Sequence, residues 1–169
     1  MEIMKRIIAL SILCASVSPL AHAEDQAENY VGVSVSKPTS GASSSTGAAV
    51  IFGHRYNEHL AGEIAYEDSG AISAAPERTT AFSIAAVGYL PIVAELEGYA
   101  RLGYASAHSK DAAGFTANHG DITYGVGVEY HVNENYSVDL GWSHLRVGDN
   151  VDIPQANENS YVLSVVRGF

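Results

Sequence analysis

Residues 122–142 read ITYGVGVEYHVNENYSVDLGW. In both halves of this stretch a large apolar residue stands at every second position, and Gly, Ser, Thr, His or a charged residue stands between. Such a two-residue period is typical of a β-strand with one apolar and one polar face. The segment Asn133–Asn135 between the halves predicts a tight turn, so the whole stretch predicts a β-hairpin with aromatic residues near its ends.

The composition of the polar face indicates where the apolar face is directed. Small, hydroxyl and charged residues suit the narrow, wet interior of a barrel, whereas an apolar face flanked by Tyr and Trp suits contact with lipid. The sequence therefore predicts lipid-facing side chains at Val126, Val128, Tyr130, Val138, Leu140 and Trp142.

The rest of the chain supplies six further segments with strand character. They lie at 30–37, 47–56, 60–68, 79–90, 96–107 and 160–169. Long polar connections alternate with short turns, which is typical of outer-membrane barrels with an even number of antiparallel strands. We therefore predict an all-β fold for residues 24–169, an eight-stranded antiparallel up-and-down transmembrane β-barrel. The alternative, a soluble barrel of the lipocalin type, would direct the charges outward and the Tyr and Val residues inward.

The long connections are predicted to be extracellular and the short turns periplasmic. The long connections are residues 38–46, 69–78, 106–120 and 148–159. The strand at 79–90 is ambiguous, because Phe82 and Ile84 fall on one face and Val87 and Tyr89 on the other. A β-bulge between the two pairs would place all four on one face, and the sequence leaves the register of this strand open.

The N-terminal segment has the pattern of an export signal. Lys5 and Arg6 precede an apolar run at 7–17, and Ala21-His22-Ala23 forms a small-residue cleavage site. We predict that residues 1–23 are a cleaved signal peptide and that the mature protein resides in the outer membrane. The only cysteine, Cys14, lies in this segment, so the mature chain is predicted to have no disulfide and no Cys metal site. The net charge of −10 argues against nucleic-acid binding.

Charged residues on the inward face predict ion pairs inside the barrel. Counted from the short turns at about 3.3 Å per residue, four of these residues lie at a similar position along the barrel axis. The predicted lumen ion-pair network is Glu63, Arg101, Glu129 and Asp139, with Arg55 and His131 nearby. Eight strands leave an interior just wide enough for side chains, so no substrate is expected to enter.

Catalytic and metal-binding patterns are weak. The His residues do not repeat at metal-ligand spacing, and no nucleotide motif appears. Ser143 and His144 are the one candidate nucleophile and base, but neighbours on a strand point to opposite faces. We therefore predict no catalytic residue, no metal site, no cofactor and no enzyme activity.

Five segments, in order along nearly the whole mature chain, resemble the OmpA-like transmembrane β-barrel family. They are Gly47–Gly53 (GAAVIFG), Gly62–Glu67 (GEIAYE), Gly88–Ile92 (GYLPI), Tyr99–Gly103 (YARLG) and Gly127–Tyr130 (GVEY). Small barrels of the OmpX and Ail type are similar as well. The chain is expected to have no peptidoglycan-binding domain of the kind that longer members carry. It has Asp139 where the family pattern has a basic residue, and Arg167 near its end. The resemblance implies a C-terminal assembly signal, at Tyr161, Leu163, Val165 and Phe169.

The predicted role is structural or surface-interactive, through the extracellular loops. A narrow pore for ions or small solutes is the first alternative, and a lipid-modifying enzyme is the second. The expected partners are outer-membrane lipid and lipopolysaccharide, the barrel-assembly machinery, periplasmic chaperones and a host or surface ligand that the sequence does not name. The barrel is expected to be a monomer.

Overall fold

The computed structural model describes residues 28–40, 43–71, 78–110, 116–147 and 156–169. The segment 1–23, predicted to be a signal peptide, lies outside the described residues, as do the central parts of the long connections. Among the described residues, no helix is long and apolar enough to cross a membrane.

The described residues form one closed antiparallel β-barrel. Its strands are β1 (Glu28–Ser40), β2 (Ser43–Ser44), β3 (Gly47–Asn57), β4 (Leu60–Ala71), β5 (Arg78–Val93), β6 (Leu96–Lys110), β7 (Thr116–Asn133), β8 (Tyr136–Val147) and β9 (Ala156–Gly168). The two-residue β2 pairs only with the end of β1, so the wall has eight strands. Pairing of β1 with β9, from Tyr30↔Gly168 to Thr39↔Asn159, closes the sheet. The predicted fold class is confirmed.

Asparagine side chains hold two of the three short turns. Asn57 Oδ1 accepts a hydrogen bond from the backbone N–H of His59 at 2.8 Å. Asn133 Oδ1 accepts from the N–H groups of Asn135 and Tyr136 at 2.9 and 3.0 Å. Such local bonds replace missing ladder partners, which is why Asn favours these positions. The three turns and both strand ends Glu28 and Gly168 lie at one end of the barrel, which we call the short-turn end.

The wall separates two classes of side chain. Large apolar residues such as Phe52, Leu102 and Val126 point outward, each more than half exposed. Buried serines and carboxylates, together with Tyr30 and Tyr89, point inward. This distribution is the reverse of a soluble barrel with an apolar interior, and it is the one that contact with lipid requires.

The strand at 79–90, whose register the sequence left open, has no bulge between the two pairs of apolar residues. The register of β5 against β4 runs without a shift from Thr80 to Gly88, so Val87 and Tyr89 face inward while Phe82 and Ile84 face outward. An aromatic residue is accommodated inside because the guanidinium carbon of Arg55 lies 3.9 Å from the centroid of the Tyr89 ring. Large apolar residues thus occupy both faces of this strand, which is why apolar parity alone left its register open.

The strands are longer than the sequence predicted. The pairing of β6 with β7 continues to Lys110↔Thr116, inside the segment 106–120 that was predicted to be a loop. Backbone pairing needs no apolar side chains once a strand has left the lipid, so the polar composition of this segment concealed its strand structure.

Candidate functional site in the barrel interior

Arg101 and Glu63 form the central ion pair of the barrel. Nη2 of Arg101, on β6, lies 2.7 Å from Oε2 of Glu63, on β4. The hydroxyl of Tyr30, on β1, donates to Oε1 of Glu63 at 2.7 Å. Glu63 is therefore bound through both oxygens by groups from two other strands, and charge-assisted bonds of this kind are the strong ones.

Arg55 forms a second pair nearer the short-turn end. Its Nη2 donates to Oε2 of Glu97 at 2.9 Å and lies 3.7 Å from Oε2 of Glu129. His131 Nε2 lies 3.3 Å from the same oxygen of Glu97. This pair joins β3 to β6, two strands that are not neighbours in the wall, so it crosses the lumen.

The four residues of the predicted network do not all gather around Arg101 in the structure. It brings Arg101 to Glu63, but the cation beside Glu129 is Arg55. Glu97, the acceptor of the shortest Arg55 contact, was not in the predicted set. The signal for it was present, because Glu97 shares inward parity with Tyr99 and Arg101.

Asp139 is the fourth predicted residue, and neither of the two arginine ion pairs described above includes it. It is only 5% exposed, and among the described residues its Oδ1 has no hydrogen-bond partner. It pairs directly across the sheet with Glu129, which pairs in turn with Glu97.

Tyrosine rings fill the space around the ion pairs. The ring of Tyr99 lies over Gly127 and Gly141, and the ring of Tyr30 lies over Gly53, so closely that a Cβ on any of these glycines would collide with it. Glycine is required there because only a residue without a side chain leaves room for the ring. These rings occupy much of the space beside the ion pairs and leave a cavity of about 50 Å³ toward the short-turn end.

The remaining predicted residues lie on the wall. Val126, Val128, Tyr130 and Leu140 are exposed on the outer face, and Val138 and Trp142 are partly covered by neighbouring side chains. The C-terminal set of Tyr161, Leu163, Val165 and Phe169 is also exposed.

Comparison with known proteins identifies this architecture. A family model described as "Outer membrane protein beta-barrel domain" matches residues 7–169. The chain belongs to this family. The protein is thus a barrel of the outer membrane. No curated protein matches the sequence significantly.

Solved structures share the fold of this outer-membrane barrel at low sequence identity. Neisserial surface protein A has a TM-score of 0.63 and 20% identity, over 84% of this chain and 96% of that one. The N-terminal barrel of Pseudomonas aeruginosa OprF has a TM-score of 0.64 and 14% identity, over 85% and 100%. Ail of Yersinia pestis, in complex with a heparin analogue, has a TM-score of 0.58 and 12% identity, over 86% and 100%. The outer-membrane enzyme PagL is a further neighbour, with a TM-score of 0.51 and 14% identity, over 80% and 97%.

Because one neighbour of the barrel is an enzyme, the surroundings of His144 are relevant. Strand alternation directs Ser143 toward the lumen and His144 outward. Nδ1 of His144 lies 2.9 Å from Oδ1 of Asn159, and its ring centroid lies 4.9 Å from that of Tyr124. The partner of the His144 ring is therefore the Asn159 amide, and Ser143 lies on the opposite face of the strand, so the two residues do not form a nucleophile–base pair.

Replacing Tyr30 with Phe is expected to destabilise the barrel by about 1.5–3 kcal/mol, because it removes a hydrogen bond to a buried carboxylate. The free energy of unfolding in lipid vesicles measures the loss. Tyr66→Phe is the matched control, since Tyr66 is on the outer face and 56% exposed. Equal stabilities of the two variants would show that the Tyr30 hydroxyl does not support Glu63.

Proposed function

We propose that the protein is a structural and surface-interaction barrel of the outer membrane whose lumen is closed to solutes. The observation that carries the proposal is the pair of ionic contacts across the interior, Arg101–Glu63 and Arg55–Glu97. They join strands that are not adjacent, and tyrosine rings fill the space beside them. An eight-stranded barrel has little interior volume besides that taken by such side chains. We therefore assign the function to the outer surface and the long connections.

The outer surface fits a lipid environment. Exposed apolar side chains are distributed over all eight strands of the wall, and aromatic residues lie near both edges, Trp142 and Tyr161 toward the long connections and Tyr130 and Phe169 toward the short-turn end. This band supports outer-membrane lipid and lipopolysaccharide as the immediate partners of a monomeric barrel. The exposed C-terminal series ending at Phe169 supports its use as a signal for the barrel-assembly machinery and periplasmic chaperones.

The long connections support a role in surface interaction. They contain many Ser, Gly and charged residues, and the last, at 148–159, carries two Asp and one Glu. Two proteins that share this fold are a Neisserial surface protein and an attachment invasion locus protein. Their names support a role at the cell surface for this chain as well, with a ligand of its own.

Conductance in planar bilayers tests closure of the lumen. The wild-type protein is expected to pass little current, because Arg101 and Glu63 occupy the centre of the barrel. Arg101→Ala is expected to conduct somewhat better, since it opens space beside Tyr99. A steady wild-type current that Arg101→Ala leaves unchanged would contradict a closed lumen and favour the narrow pore.

An epitope tag tests the surface role. A tag inserted between Ala112 and Ala113, in the connection after β6, is expected to bind antibody on intact cells. A tag between Glu58 and His59, in a short turn, is expected to be reached only after the outer membrane is permeabilised. Labelling of the second tag alone on intact cells would invert the orientation of the barrel.

A further inference from the structure

Three carboxylates form a row across neighbouring strands near the short-turn end of the lumen. Glu97 on β6 lies opposite Glu129 on β7, and Glu129 lies opposite Asp139 on β8. All three face inward, and the side chains of Glu97 and Glu129 are 12% and 9% exposed. Like charges directly opposite each other on adjacent strands are destabilising, so such a row requires positive charge close by.

The arginines of this half of the lumen supply only part of that charge. Arg101 is engaged by Glu63, so Arg55 is the guanidinium that faces the row. In this half of the lumen four carboxylates, Glu63, Glu97, Glu129 and Asp139, therefore outnumber the two guanidinium groups by two. A divalent cation would compensate carboxylates that the arginines do not reach.

Asp139 provides independent evidence that something binds beside the row. It is 95% buried, and its Oδ1 has no hydrogen-bond partner among the described residues. A buried acceptor without a partner is costly. Asp139 also lines a cavity of about 50 Å³ together with Glu129, His131 and Arg55. A partner for the carboxylate would therefore have both room and a route from the short-turn end.

We infer that a divalent transition-metal ion binds at the edge of this cavity, held by Glu97, Glu129 and His131. Glu129 and His131 line the cavity together with Asp139, and Glu97 completes the group of possible ligands from the neighbouring strand. One ligand atom from each of Glu97, Glu129 and His131 lies within 4.8 Å of the others. Donors around tetrahedral zinc, at about 2.0–2.2 Å from the ion, are roughly 3.3 Å apart, so small side-chain rotations would complete the set. The mixture of imidazole nitrogen and carboxylate oxygens suits Zn²⁺ better than Mg²⁺ or Ca²⁺.

Arg55 competes with the ion for the same oxygens. Its Nη2 occupies Oε2 of Glu97 at 2.9 Å, and metal binding displaces this contact while the guanidinium remains stacked on Tyr89. The carboxylates are therefore neutralised by the Arg55 guanidinium when the site is empty and by the metal ion when it is bound. Removing the competitor with Arg55→Met is expected to tighten Zn²⁺ binding.

The test is calorimetric titration of the refolded full-length mature barrel in detergent micelles with ZnCl₂, together with the temperature of its heat-dependent gel shift. We expect one Zn²⁺ per barrel and a higher unfolding temperature with Zn²⁺. His131→Asn is expected to weaken binding by at least about 10–100-fold, the loss already seen when a group that only orients a metal ligand is removed. His131 lies near the rim and its side chain is 31% exposed, so the substitution is compatible with folding.

Two control variants locate the site. His59→Asn alters an exposed His–Glu pair at the same end of the barrel and is expected to leave Zn²⁺ binding unchanged. His108→Asn with His119→Asn removes the two histidines of a long connection and is also expected to leave it unchanged. Absence of Zn²⁺ binding, or binding lost with the connection variant but kept in His131→Asn and Glu97→Gln, would overturn the inference. Weaker rather than tighter binding in a folded Arg55→Met protein would also overturn it.

Discussion

In lipid vesicles, Arg101→Met is expected to unfold with a free energy about 3–5 kcal/mol lower than the wild type, the scale of a broken buried ion pair. Glu63 is nearly inaccessible, and the Arg101 guanidinium lies 2.7 Å from its Oε2. Methionine retains most of the side-chain length but leaves the carboxylate without its cation. Reversible unfolding in urea, followed by tryptophan fluorescence and by the gel shift, measures the change.

The double variant Glu63→Gln with Arg101→Met separates charge from packing. Because neutralising Glu63 removes the uncompensated charge, the double variant is expected to recover most of the stability that Arg101→Met loses. Lys37→Met, which removes an exposed cation of β1, is expected to change stability by no more than about 0.5 kcal/mol. Arg101→Met as stable as the wild type, or a double variant no better than the single one, would show that the pair does not hold the barrel together.

Leu140→Arg is expected to destabilise the barrel in bilayers by about 2–4 kcal/mol, the depth-dependent cost of a cation near the bilayer midplane. Leu140 is 58% exposed on the outer face and lies opposite Val128 and Leu163, in the middle of the apolar band. The same unfolding experiment measures the cost, which should fall in lipids with shorter chains.

Val132→Arg is the matched control for depth. Val132 also points outward and is 55% exposed, but it lies at the short-turn end, where a cation reaches water. Its replacement is expected to cost only about 0–1 kcal/mol. Equal costs at the two positions would show that depth in lipid does not set the penalty.

The sequence predicted the wall of the barrel well because alternation determines which face a residue occupies. Val126 and Val128 were assigned to the outer face, and Glu63 and Arg101 to the inner face, from parity alone. Parity does not determine which inward residues meet across the lumen, since that depends on strand tilt and register, which are set by closure of β1 on β9. For this reason the contact of Arg55 with Glu97 was missed.

Val87 and Tyr89 show a second limit of sequence reasoning. An apolar residue on the inward face breaks the expected alternation of apolar and polar residues. The sequence alone does not show which side chains would pack against it. Here Val87 is almost fully buried, and Tyr89 stacks with Arg55, so the inward face of β5 contributes to the core. The row of Glu97, Glu129 and Asp139 could not be predicted from the sequence either. Its members lie on three different strands, and only the registers of those strands place them side by side.

The apolar outer face of this barrel is expected to contact lipid, and the single tryptophan, Trp142, allows a direct measurement. In vesicles containing lipids brominated at defined depths, fluorescence of Trp142 is expected to be quenched most by shallow bromines. A single tryptophan placed by Leu140→Trp in a Trp142→Phe background is expected to be quenched most by deep bromines. Quenching of both by aqueous acrylamide, with no effect of the brominated lipids, would contradict the account.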